Sequence, residues 1–156
     1  MKRIFLLMTI LILLLCLSGC SNKDKQDFYG VYTFDKVSYL PSFSSSTIGF
    51  INEYFKGSKY TIETGLFKIE TPDSTFEIKS PKYAKEEIPD DVNELSNVRS
   101  FIGNDEVEYQ YTIYNNDGSK TYWRLYISSD CVWIASYQDN PANGSEIIIN
   151  IYELSN

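Results

Sequence analysis

The sequence predicts a mainly β domain with a minor α component: an antiparallel barrel or strongly curved sheet of about eight strands with one or two short helices. Three observations carry this expectation. Aromatic and β-branched residues cluster in short runs, and the 156 residues include 13 Tyr and 9 Phe, side chains that suit pleated, half-buried strands. Turn signals such as Asp117-Gly118 and Ser129-Asp130 separate the runs at hairpin spacing. Alternation of period two is clean in stretches such as Thr75-Phe76-Glu77-Ile78-Lys79, whereas only two segments show helical spacing.

The chain begins with Lys2 and Arg3, followed by an apolar run from Ile4 to Leu17 broken only by Thr9, and then Ser18-Gly19-Cys20. A cationic start, a short apolar core and small residues in that order read as a secretory signal removed from the mature protein. The run is too short for a helix that needs about 20 apolar residues to cross a bilayer, and it lacks the polar face of a surface helix. Leu17-Ser18-Gly19-Cys20 resembles the lipobox of bacterial lipoproteins. The resemblance implies that Cys20 is lipidated, becomes the first mature residue and ties the protein to the lipid bilayer on the extracytoplasmic side of the cell membrane. One acyl chain binds a membrane marginally and two bind it stably, so the diacylglyceryl group of such proteins makes a lasting anchor. Three parts follow: a signal peptide over 1–19, the lipidated cysteine and a polar, flexible tether over 20–27, and a single β-rich domain over 28–156.

From Phe28 to Val37 the residue types predict a long first strand, in which Gly30 marks a bend or a close backbone approach. Pro41 and the serines from Ser42 to Ser46 end it. A short helix comes next, capped by Ser45 or Ser46 and closed by Gly57, with Ile48, Ile51, Tyr54 and Phe55 on one face. Three short strands follow at Lys59 to Glu63, Leu66 to Glu70 and Thr75 to Lys79. Ser80 to Glu87 reads as a charged connection. Pro89-Asp90-Asp91 opens a second helix with Val92, Leu95, Val98 and Ile102 inward and Gly103 as its stop. The last third predicts an antiparallel meander of Val107 to Tyr114, Lys120 to Ser128, Cys131 to Tyr137 and Glu146 to Leu154. Alternation puts Trp123 with Leu125 and Ile127, and Trp133 with Cys131 and Ala135, both sets facing the core. Ile147 to Ile149 is apolar on both sides, so that strand is covered on both faces, one of them by a helix.

Composition narrows the chemistry. Loss of Lys2 and Arg3 with the signal leaves 12 basic against 21 acidic residues, a net charge of −9 on the mature chain. Such a chain lacks the basic face that phosphate neutralisation requires, so nucleic acid is not an expected partner. Histidine is absent, which removes the commonest general base and the usual zinc ligands. With Cys16 in the signal and Cys20 lipidated, Cys131 is the remaining thiol, and its apolar strand makes it a core residue. The carboxylates Glu86-Glu87, Asp90-Asp91, Glu106 and Glu108 sit at a helix start or on polar strand faces, with no placed nucleophile beside them. The sequence therefore reads as non-catalytic and free of cofactors and metals.

The candidate binding residues are Arg124, Tyr122, Tyr126, Tyr109 and Tyr111. Arg124 stands between Tyr122 and Tyr126 on one strand face, and Tyr109 and Tyr111 belong to the neighbouring strand of the meander. A guanidinium framed by aromatic rings holds an anionic ligand; the same pattern also describes a solvent-side arginine stacked on tyrosines. Gly30-Val31-Tyr32 on a long first strand is similar to the Gly-x-Trp opening of the lipocalin superfamily, with Tyr32 in place of the tryptophan. That resemblance implies a small barrel holding a small apolar or anionic molecule. The other expectation is an interaction or inhibitory lipoprotein that meets an envelope protein through its loops or a sheet edge. An eight-stranded barrel has room either to fill itself or to hold one ligand.

Overall fold

The computed structural model describes residues 28–88, 97–103, 107 and 109–156. The signal, Cys20, the tether, the helix opening at Asp90-Asp91 with Val92 and Leu95, and Glu106 and Glu108 lie outside the described residues. Nine strands form one sheet: β1 (Gly30–Tyr39), β2 (Lys59–Ile62), β3 (Leu66–Glu70), β4 (Thr75–Lys79), β5 (Lys82–Glu87), β6 (Tyr109–Tyr114), β7 (Lys120–Ile127), β8 (Val132–Asp139) and β9 (Glu146–Ser155). Two short helices accompany them, α1 (Ile48–Phe55) and α2 (Val98–Ile102). The strand order is β4-β3-β2-β1-β9-β8-β7-β6-β5 and every neighbouring pair is antiparallel. The mainly β class and the curved antiparallel sheet are as the sequence predicts.

The sheet is not closed, because no ladder joins its edge strands β4 and β5. Those edges are nevertheless consecutive in the chain, linked only by Ser80 and Pro81. Alternating directions along nine antiparallel strands make β4 and β5 run the same way, so β5 continues β4 beyond a kink. Ser80 takes the left-handed region at φ 52°, and its N–H still donates to Gly65 O at 2.9 Å. The strand is thereby handed from β3 to β6 and the sheet curls round on itself. The charged connection expected over 80–87 is corrected here: its second part is β5. Lys and Glu are poor strand formers, but tertiary pairing overrides that preference, and Glu86 on β5 accepts from Gln110 Nε2 and Thr112 Oγ1 of β6 at 3.1 and 2.8 Å.

Bulges sharpen the curve. The register between β1 and β9 slips at Asp35 and again at Ser38, and between β8 and β9 at Ile149. Each slip changes which side chains share a face. Phe34 and Val37 consequently both face the interior, and Ile148 and Ile151 both face outward. The interior is filled by the protein's own side chains, among them Tyr32, Tyr60, Ile62, Phe67, Leu125 and Ile134. Burying an aliphatic or aromatic side chain of this size contributes about 1.5–3 kcal/mol.

A second cluster lies on the outer face of β7, β8 and β9 under α2, with Val98, Tyr126, Trp133, Ala135, Ile148 and Ile151 at its centre. Covering β9 on both faces matches the expectation from its apolar run. The inward placement of Trp133 does not hold: Val132 and Ile134 face the interior, and Trp133 and Ala135 face the helix. Trp123 and Leu125 do point inward. α2 differs from the helix expected to run on from Pro89: Asn97, interior to that helix, is a non-helical cap that accepts from Ser100 N at 3.2 Å, and Gly103 ends the helix at φ 66°. In α1 the cap is Thr47, one residue beyond the expected serines, accepting from Phe50 N at 3.2 Å. Of the four residues expected on its buried face, Ile51 and Phe55 pack against the interior, while Ile48 and Tyr54 are exposed.

Candidate functional site

On β7, alternation sends Arg124 and Tyr126 to the outer face, and both are fully buried there. The β6–β7 register slips by two residues between Thr112–Arg124 and Tyr114–Lys120. Within that irregular stretch Arg124 Nη1 donates to Thr121 O at 2.7 Å and to Trp123 O at 2.9 Å, satisfying carbonyls the slip disturbs. Its Nη2 donates to Glu146 Oε1 at 2.9 Å, and Lys120 Nζ donates to Glu146 Oε2 at 2.7 Å. The Tyr137 ring lies 5.1 Å from the guanidinium carbon. Partial burial pushes the Glu146 carboxyl up, but Lys120 and Arg124 outweigh it and hold it below the ordinary glutamate value. Tyr126 Oη donates to Gln110 Oε1 at 3.1 Å and is hydrogen-bonded to Tyr137 Oη. A continuous polar chain thus runs from Glu86 through Gln110, Tyr126 and Tyr137 to Arg124, Glu146 and Lys120.

The structure places Arg124, the residue expected to hold an anion, inside this network. The guanidinium is buried, and three of its five N–H groups are spent on two carbonyls and a carboxylate. Tyr126 joins the same network. Tyr122 is exposed on the outer face with its hydroxyl 3.4 Å from Asp139 Oδ2. Tyr109 and Tyr111 belong to the opposite face of β6: Tyr111 packs against the interior and Tyr109 is exposed at the rim.

Those two tyrosines line a different feature. A cavity of about 730 Å³ opens at the end of the sheet where β1 begins and β5, β7 and β9 end, bordered by Phe28, Lys85, Tyr109, Tyr111, Asp130 and Glu153. Phe28 closes its inner side, with ring centroids of Tyr29, Tyr83 and Tyr111 at 5.1, 5.7 and 4.5 Å. Tyr32 Oη donates to Phe28 O at 2.8 Å and ties this segment over the interior. At Gly30, expected to mark a bend or a close backbone approach, the near neighbour is a side chain: a Cβ there would meet the Tyr32 ring at 3.3 Å. Lys85 Nζ stands 3.7 Å above the Tyr109 ring. Glu153 is engaged by Lys36 Nζ at 3.1 Å and by Trp133 Nε1 at 3.3 Å.

Cys131 also borders this mouth and is half-buried, less enclosed than its apolar strand suggests. Burial first, then the neighbouring Glu153 carboxylate, pushes its thiol up to about 11, which keeps it protonated at neutral pH. Among the described residues no group of three or more acidic or cysteine side chains is placed to hold a metal ion. Phe28, Lys85 and Asp130 carried no signal of a site in the sequence, because β5 read as a connection and the mouth gathers strand ends far apart in the chain.

A different exposed feature lies over the C-terminal half of β1. Phe55 of α1 packs near Phe34 and Tyr152, with centroids at 5.8 and 5.2 Å, and Asn52 Oδ1 accepts from Val37 N at 2.9 Å. The helix leaves Ile48, Phe50 and Tyr54 exposed, with Phe43 exposed just before it. No model of a known protein family, no curated protein and no solved structure matches this chain.

Proposed function

We propose that this protein is a membrane-anchored extracytoplasmic lipoprotein whose β domain is a non-catalytic binding module for a small ligand. The observation that carries the reading is the open 730 Å³ mouth with aromatic rings on its walls, a volume in the range of small-molecule sites. The ligand sits in that mouth and not inside the sheet, where side chains already fill the space. The anchor follows from Leu17-Ser18-Gly19-Cys20 and the signal-like run before it. Native mass spectrometry of the full chain, purified from its own host in mild detergent, tests the binding role. A co-purifying small mass that Tyr109→Ala removes supports it, and a clean apo mass argues against a tightly held ligand.

A second reading has its own support. Phe43, Ile48, Phe50 and Tyr54 form an exposed aromatic and aliphatic group on and before α1, the type of surface that marks protein contacts. A photo-crosslinker at position 50 that captures one envelope protein in intact cells would favour this role.

A further inference from the structure

We infer that the ligand taken by the mouth is an organic cation, a quaternary or primary ammonium group that seats on the Tyr109 ring beside Asp130. This rests on the small-ligand reading of the same cavity and names its chemistry. The ring face already holds a cation, the Lys85 ammonium at 3.7 Å. An aromatic face attracts positive charge through its quadrupole, and a quaternary ammonium group exploits this best because it is weakly hydrated, unlike the primary ammonium of Lys85. Lys85 is exposed on a flexible stem, so a ligand cation displaces it at small cost. Asp130 borders the cavity and no ion pair engages its carboxylate among the described residues. Glu153 is already paired with Lys36. Arg124, the cation that would have welcomed an anion, is buried outside the sheet and paired with Glu146. With 21 acidic against 14 basic residues, the field of the whole chain draws cations toward it.

Lys85 is then a built-in competitor, and removing it improves binding. The test is calorimetric titration of the full chain in non-ionic detergent micelles with choline and with its uncharged isostere, 3,3-dimethylbutan-1-ol. Choline binds saturably and at least about tenfold more tightly than the isostere. Lys85→Ala tightens choline by about threefold to tenfold, the range of a partly exposed cation–π contact, and Tyr109→Ala or Asp130→Asn weakens it by a similar factor. All three side chains are exposed, and unchanged thermal melts show that the fold is retained. Equal affinity for the isostere overturns the cation assignment and leaves a small apolar ligand in the mouth. Weaker choline binding by Lys85→Ala overturns it as well. Failure of both probes overturns it too, and a clean apo mass alongside then argues against a tightly held small ligand of any class in the mouth.

Discussion

Arg124 illustrates how one side chain changes meaning between sequence and structure. Between two tyrosines on a strand it reads as a ligand contact, yet in the fold it completes the hydrogen bonding of an irregular strand pair and neutralises Glu146. Arg124→Ala leaves carbonyls unsatisfied and a half-buried carboxylate with one partner fewer, so it should cost about 3 kcal/mol, measured as a lower midpoint in denaturant. Arg124→Lys should not restore it, because an ammonium cannot span three acceptors in this fixed planar geometry. Glu146 adds a pH dependence. Its folded pKa is lowered below the ordinary value of 4.5, so the folded state favours the charged form and the unfolded state binds more protons. The contribution is present above the unfolded pKa and is lost as pH falls through the folded one. Thermal melts between pH 6 and about 3 should show this decline, and Glu146→Gln should flatten it. For Cys131, a thiol pushed up to about 11 should react slowly with iodoacetamide at pH 8 and speed up as pH approaches that value.

At the scale of elements, the two helices do opposite work. The five-residue α2 is too short to stand alone and owes its place to the outer cluster, where its own Phe101 stacks on Tyr39 at 3.7 Å. The eight-residue α1 is anchored by Ile51, Phe55 and the Asn52 bond to Val37 N, and its start depends on Thr47. Thr47→Ala should lower stability by about 1 kcal/mol, seen by chemical denaturation, since it leaves an N-terminal donor without its acceptor. Phe55→Ala should cost about 3–4 kcal/mol because it opens a cavity beside Phe34 and Tyr152. α1 and the end of α2 were legible from spacing and stop signals, Gly57 and Gly103 included. The cap of α1 and the inward pair were not, since several neighbouring hydroxyls cap equally well on paper and only contact selects between faces.

For the molecule as a whole, the organising feature is the kink at Ser80 and Pro81 that passes one strand from β3 to β6. Ser80 holds a positive φ of 52°, so Ser80→Gly should be neutral or stabilising and Ser80→Val destabilising by about 1–2 kcal/mol, compared by thermal melts. Attachment is a separate whole-molecule property. The proposed lipid anchor predicts that Cys20→Ser abolishes palmitate labelling and moves the protein from the membrane fraction to the soluble one.

Local chemistry was enough for the sequence alone to determine the mainly β class, eight of the nine strands, α1, the end of α2 at Gly103 and the hairpin turn at Asp117-Gly118. Each depends on neighbours in the chain: alternation, turn residues, or a missing side chain. Only the tertiary structure decided that β5 is a strand, that Trp133 faces α2, and that Tyr109 and Tyr111 part from Arg124 to line a mouth with Lys85 and Asp130. Those outcomes hinge on strand pairing between segments far apart in the chain: the β5–β6 and β7–β8 ladders and the Gln110–Thr112 part of β6–β7 run without a slip. Which residue meets which leaves no local signature, and a shift of one residue sends every side chain to the opposite face.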